Sequence, residues 1–228
     1  MRDVRMTELA KLLIEHSTAM QAGEHLLIEA FDAPDAMVIE LITACRARGA
    51  HPHVVVRSSR ILRSLVEGGD ETQFEVMGQA DLDRMKRMDA YIGLRGGFNV
   101  NEMSGVPEDR LKAWGALYGK PVHTQQRVNH TRWCVLRWPT PSMAQLAGTS
   151  TEAFENFYFD VCTLDYKAMA NAAAALQARM VATNDVHIKG PGDTDLRFSI
   201  KDIPAIPCTG SHNIPDGEVF TAPVRDSI

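Results

Sequence analysis

Residues 25–57, HLLIEAFDAPDAMVIELITACRARGAHPHVVVR, decide the fold. The run His25–Phe31 is apolar apart from its first residue and Glu29, and it reads as a buried strand. Asp32 is placed to cap the helix that follows and Pro34 suits its first turn. Val38, Leu41, Ile42 and Cys45 then form an apolar stripe that Gly49 ends. A second strand, Pro52–Arg57, follows at once. Strand, helix and strand joined by short connections are the signature of a parallel sheet covered by helices.

The pattern extends in both directions. Met6, Leu9, Ala10 and Leu13 mark an amphipathic helix ahead of Gly23. Residues 59–67 and 71–88 read as helices, 90–94 as a strand, and 132–138 as a further strand. Between those two strands, Pro107 opens a helix with Leu111, Trp114 and Tyr118 on one face, which Gly119 is expected to close. Arg95-Gly96-Gly97-Phe98-Asn99 is a glycine loop at a strand end, where α/β sheets place ligands. It lacks the Gly-x-Gly-x-x-Gly spacing of a dinucleotide site, so a plain tight turn is the simpler reading. Thr149 and Glu152 form a capping box, and Phe154, Phe157, Tyr158 and Val161 keep helical spacing into an alanine-rich run, predicting a long helix that ends near Val181. The aromatic side chains of that helix suit a core better than a stacking platform. The expected class is therefore α/β, a mostly parallel sheet flanked by helices.

From Thr183 the texture changes, because the remainder holds 5 of the 11 prolines and no helical stripe. The sequence predicts an α/β domain over 1–182 and, over 183–228, the opening strands of an incomplete, mainly β, metal-binding domain. Val186–Lys189, Leu196–Ile200 and Val219–Thr221 read as strands. Their edges and the apolar Val219 and Phe220 are expected to be poorly covered.

Composition narrows the function. With 24 Lys and Arg against 29 Asp and Glu, the formal charge is −5, which argues against nucleic acid as the main partner. The amino terminus is too interrupted by charges for a signal peptide, and no apolar run reaches membrane-spanning length. Cys45, Cys134, Cys162 and Cys208 include no Cys-x-x-Cys pair and read as buried thiols of a cytoplasmic protein. The Asn129-His130-Thr131 glycosylation pattern then reads as chance. Serine-hydrolase elbow, phosphate loop and His-Glu-x-x-His helix are all missing.

Two polar constellations remain. His51 and His53, two apart on a strand, face one side and could bind a metal with a third ligand, although solvated or satisfied histidines explain them more simply. Asp193, Asp195, His212, Asp216 and Glu218 gather among turn residues, and carboxylate with imidazole suits divalent metals. Asn213–Gly217 also reads as an ordinary turn.

The segments KGPG (189–192), TDLRFSI (194–200) and above all NIPDGEVFTAPV (213–224) closely resemble the thermophilic-type (leucyl) metalloaminopeptidases. RWPTPSMAQLAG (137–148) and FYFDVC (157–162) are similar to the same family in the same order. That resemblance implies a homodimeric enzyme that removes N-terminal residues from peptide substrates with two divalent metal ions, zinc, cobalt or manganese, and it assigns Glu218 as a metal ligand. The family's other ligands lie beyond the point that matches Ile228, so an incomplete catalytic centre is expected. Two alternatives stand beside it: a related iron-dependent dioxygenase that cleaves dihydroxypyridine rings, and a non-enzymatic dimerisation domain.

Overall fold

The computed structural model describes residues 3–227. Its described residues form two compact units: one runs to Leu164 and also takes in Ser211–Ile214, and the other comprises Asp165–Gly210 and the residues from Pro215 onward. The division falls at Leu164/Asp165 rather than at Thr183, because the helix preceding Thr183 packs with the β-strands that follow it.

In the first unit, α1 (Val4–Leu12), capped by the Asp3 carboxylate, continues as a π-helical turn to Ser17. Then come β1 (His25–Phe31), α2 (Asp35–Ala47), β2 (His51–Arg57), α3 (Ser59–Gly68), α4 (Glu71–Met85) and β3 (Ala90–Arg95). α5 (Glu108–Trp114) runs on as a π-helical stretch, Gly115–Arg127, into α6 (Val128–His130). β4 (Arg132–Arg137), α7 (Pro141–Leu146) and α8 (Thr151–Cys162) follow. All strand pairings in the sheet are parallel, in the order β2-β1-β3-β4, as an α/β chain predicts. A fifth strand comes from an unexpected place. β8 (Asn213–Ile214), within the segment expected to be a turn, pairs with β4, and Ile214 is 2% exposed there. Its apolar side chain and the Val135 N–H, which donates to His212 O at 2.9 Å, explain why two residues suffice to dock.

Several local expectations give way to tertiary structure. The helix opened near Pro107 does not stop at Gly119, since Tyr118 and Val122 on either side are buried and hold the chain in the π-helical run. That run also accommodates Pro121, whose missing N–H would break a regular helix. The long helix ending at Val181 is two helices. Asp165 caps α9 (Tyr166–Val181) by accepting from Ala168 N, which interrupts the run after α8. The cap of α8 is Ser150, not Thr149, and its buried face is Tyr158, Phe159 and Cys162, while Phe157 is exposed. Asp32 accepts from Ser59 N at the start of α3 instead of capping α2.

β1 is buried on both faces, consistent with its central place in the sheet. One face carries Leu27 and, across from it on β3, Tyr91. Together with Met85, Met88, Tyr118 and Val122 they form an apolar cluster under α4 and the π-helical stretch. The same face holds a buried polar network. Glu29, 2% exposed, accepts from Tyr91 Oη at 2.5 Å, Arg57 Nε at 2.7 Å and Arg95 Nη2 at 2.9 Å. Arg57 also donates to Asp81 and, at 3.0 Å, to Tyr118 Oη, which in turn donates to Asp81 at 2.7 Å. Burial alone would raise the Glu29 pKa, but the Arg95 guanidinium, the Tyr91 hydroxyl and further cations hold it down to about 2. Cys45, Cys134 and Cys162 are buried thiols, and burial pushes Cys45 up to about 11 and Cys162 up to about 12, which makes these two poor nucleophiles.

Beyond β3, the expected glycine loop brings Gly96 against the end of β1. A Cβ there would lie 2.9 Å from Phe31 O and closer still to Asp32 O, where only glycine fits. Gly96→Ala should therefore destabilise the protein by about 2 kcal/mol, the usual effect of forcing an extra carbon into a packed site. Urea unfolding would measure this, and a change within about 0.5 kcal/mol would contradict the packing described.

The second unit contains α9, the antiparallel hairpin β5 (Asp185–Lys189) with β6 (Asp195–Ser199), and β7 (Ile206–Cys208) paired antiparallel with β9 (Glu218–Phe220). Its small sheets have two strands each, and Ile188, Leu196 and Phe220 are exposed, as expected of poorly covered strands, whereas Val219 is half-buried. No helix among the described residues is long and apolar enough to cross a membrane.

Candidate metal-binding region

Glu218 opens β9 and is exposed, directly across from Cys208 on β7. The approach to it is tightly built. Gly217 has φ +147°, and a Cβ there would press on Met169 Sδ at 3.2 Å, so the turn into β9 requires glycine. Asp216 accepts from Gly210 N at 2.8 Å, and its own N–H donates to Tyr166 Oη at 3.1 Å. This carboxylate therefore shapes the turn that presents Glu218. Burial, then Asp216 and Glu218, push the Cys208 thiol up, so it stays protonated at neutral pH.

The other members of the constellation are engaged elsewhere. Asp195 meets His187 Nε2 at 2.8 Å in the β5–β6 hairpin, with Lys189 and Arg197 at 3.9 and 4.0 Å. Asp193 lies exposed in the turn of that hairpin. His212 belongs to the first unit, packed edge-on against Trp133 at 4.8 Å with its Nδ1 3.0 Å from Ser211 Oγ. The structure thus does not gather Asp193, Asp195, His212, Asp216 and Glu218 into one coordination sphere.

His51 and His53 do share a face, and β1 adds His25 beside them with ring centroids 5.0 and 5.1 Å away. His25 Nδ1 and His53 Nε2 are 2.9 Å apart, a hydrogen bond that engages one nitrogen of each ring. Burial, followed by His25, His51 and Arg84, lowers the His53 pKa, so the neutral form of His53 is favoured. Among the described residues no group of three or more His, Cys, Asp or Glu is arranged to hold a metal ion. A two-metal centre does not fit the donors present, for one exposed carboxylate cannot bridge and retain two ions.

The first unit thus holds an open parallel sheet flanked by helices, and in the second a glycine-steered glutamate heads a short strand. The profile of the thermophilic metalloprotease (M29) family matches residues 2–228, and the chain belongs to that family. Membership implies use of a divalent metal. Among solved structures, AmpT from Thermus thermophilus is similar with a TM-score of 0.73 at 20% identity, over 98% of this chain and 62% of that one. A 2,5-dihydroxypyridine dioxygenase from Pseudomonas putida KT2440 is similar with a TM-score of 0.52 at 11% identity, over 97% of this chain and 56% of that one. At these identities both likenesses show the fold. The chain thus spans less than two thirds of either structure. A search of curated proteins gives no significant match.

Neither β8 nor the Glu29 network follows from a local sequence motif. The one signal for the network is a lone carboxylate in the apolar run His25–Phe31, with arginines ending two other strands at Arg57 and Arg95.

Proposed function

We propose that this chain is part of a metal-dependent aminopeptidase that removes N-terminal residues from peptides, with Glu218 as one ligand to a divalent ion. The supporting observation is the family match, which includes NIPDGEVFTAPV (213–224), together with the exposed, glycine-steered position of Glu218. In the complete enzyme the ions would be two, of zinc, cobalt or manganese, and a second copy of the chain would complete a homodimer; both rest on the resemblance. The cytoplasmic assignment rests on the unpaired cysteines.

Because the donors described cannot hold two ions, this chain alone should turn over a leucyl chromogenic amide poorly with any of the three metals. Calorimetry should instead detect weak binding of a divalent ion that Glu218→Ala reduces by about tenfold or more, with unfolding unchanged because the residue is exposed. Metal binding indifferent to Glu218→Ala would remove Glu218 from the site. Robust turnover that Glu218→Ala abolishes would overturn the incompleteness of the centre. Oxygen uptake with a dihydroxypyridine would favour the dioxygenase reading.

A further inference from the structure

We propose that the crevice at the C-terminal ends of β1, β2 and β3 binds a small organic anion, with its carboxylate or phosphate held by Arg57, Arg95 and Arg137 and its apolar portion against Phe31, Leu62 and Trp114. The inference concerns the first unit alone and stands apart from the peptidase reading.

Position is the first argument. The chain passes from β1 to β2 on one side and then crosses back to β3 on the other, so the sheet order reverses between β1 and β3. In open α/β sheets that reversal leaves a crevice outside the carboxyl ends of the strands, where ligands bind. Here the crevice has a volume of about 330 Å³ and all six of the named side chains line it, as does Gly96. That size suits a small molecule.

Charge is the second. Glu29 and Asp81 are matched by Arg57, Arg95 and Arg84. Arg127, held between Tyr91 and Trp133 at 5.3 and 4.3 Å, and Arg137 make no ion pair among the described residues. The local field is accordingly positive. His123, which also lines the crevice, is pushed down to about 4 by burial and, despite Glu29, by Arg95, Arg127 and Arg57.

The third argument is an unmet donor. Arg95 lines the crevice; its Nη2 serves Glu29 and Tyr91, whereas its Nη1 is buried with no hydrogen-bond partner among the described residues. Buried guanidinium nitrogens are rarely left so, and an oxyanion supplies both the acceptors and the neutralising charge. Beside these donors Trp114 stacks on Tyr118 with centroids 4.0 Å apart, a flat apolar wall for the rest of the ligand.

The test uses the full chain, titrated with phenyl phosphate, benzoate and neutral benzamide while tryptophan fluorescence and heat are followed. At least one anion should saturate and benzamide should not. Arg137→Gln, which breaks no ion pair, should weaken binding about tenfold, the usual effect of losing one charge-assisted hydrogen bond. Leu62→Trp, which fills the crevice while leaving the charges, should abolish it. A preference between phosphate and carboxylate would define the ligand class. Failure of both anions to saturate, equal binding of benzamide, or full binding in both variants would overturn the proposal and leave the cluster a purely structural network.

Discussion

Glu29→Ala should destabilise the first unit by about 3–5 kcal/mol at neutral pH, because it removes one partner from a buried ion network and leaves the others uncompensated. Arg95 would keep only Tyr91, and Arg57 only Asp81 and Tyr118. Glu29→Gln should be milder, since the amide oxygen can still accept from a guanidinium. The same carboxylate gives the wild type a distinctive acid dependence. Its folded pKa, about 2, lies below the ordinary carboxylate value near 4.5. Its contribution is therefore fully present above about pH 4.5 and is lost as pH falls toward 2, a change on the order of 3 kcal/mol. Chemical unfolding between pH 5 and pH 2.5 should show a steeper decline in the wild type than in Glu29→Gln. Parallel curves would mean that Glu29 is not ionised and paired as described.

Ile214→Asp should cost about 3 kcal/mol or more, since it places a carboxylate where a side chain is 2% exposed. The alternative open to the variant is to release β8 from β4, and that has its own signature. Val135 N donates to His212 O, so its amide should exchange much faster in Ile214→Asp than in the wild type, while Ile28 and Ile92 in the central strands stay protected. Ile214→Val, which keeps the apolar contact, should cost about 1 kcal/mol and leave Val135 protected. Unchanged exchange at Val135 in Ile214→Asp would show that the apolar anchor does not hold the fifth strand.

What could be read from residues alone follows from how local the physics is. The strands at His25–Phe31 and residues 90–94 announce themselves by nearly continuous apolar runs, because parallel strands buried on two faces have little polar side to show, whereas Pro52–Arg57 and Arg132–Arg137 are recognised by their short apolar centres. The helix past Gly119 was not legible, since its continuation depends on Tyr118 and Val122 meeting Leu27 and Tyr91 from far along the chain. Neither was the break before Tyr166, where the local capping of Asp165 overrides an otherwise continuous helical pattern. In the candidate site, the motif pointed to Glu218 and the turn before it, and the geometry explains Gly217 and Asp216 as the devices that shape that turn. Proximity in sequence did not become proximity of donors, because His187 engages Asp195 and Trp133 engages His212. The Glu29 network has no local signature for the converse reason: its members are scattered from 29 to 118 and meet only once the sheet has formed.

The docking of Asn213–Ile214 on β4 has a kinetic side. Its partners Val135 and Leu136 lie more than seventy positions earlier, and the intervening chain includes α9 and the β5–β6 hairpin. Such a contact closes a long loop, so it forms late and slowly compared with β1, β2 and β3, which are joined through nearby helices. During synthesis β4 must therefore emerge and wait with one edge unpaired. The chain crosses between its two compact units three times, at 164/165, 210/211 and 214/215, so a single proteolytic nick at Asp165 would leave the fifth strand still threaded into the first unit's sheet.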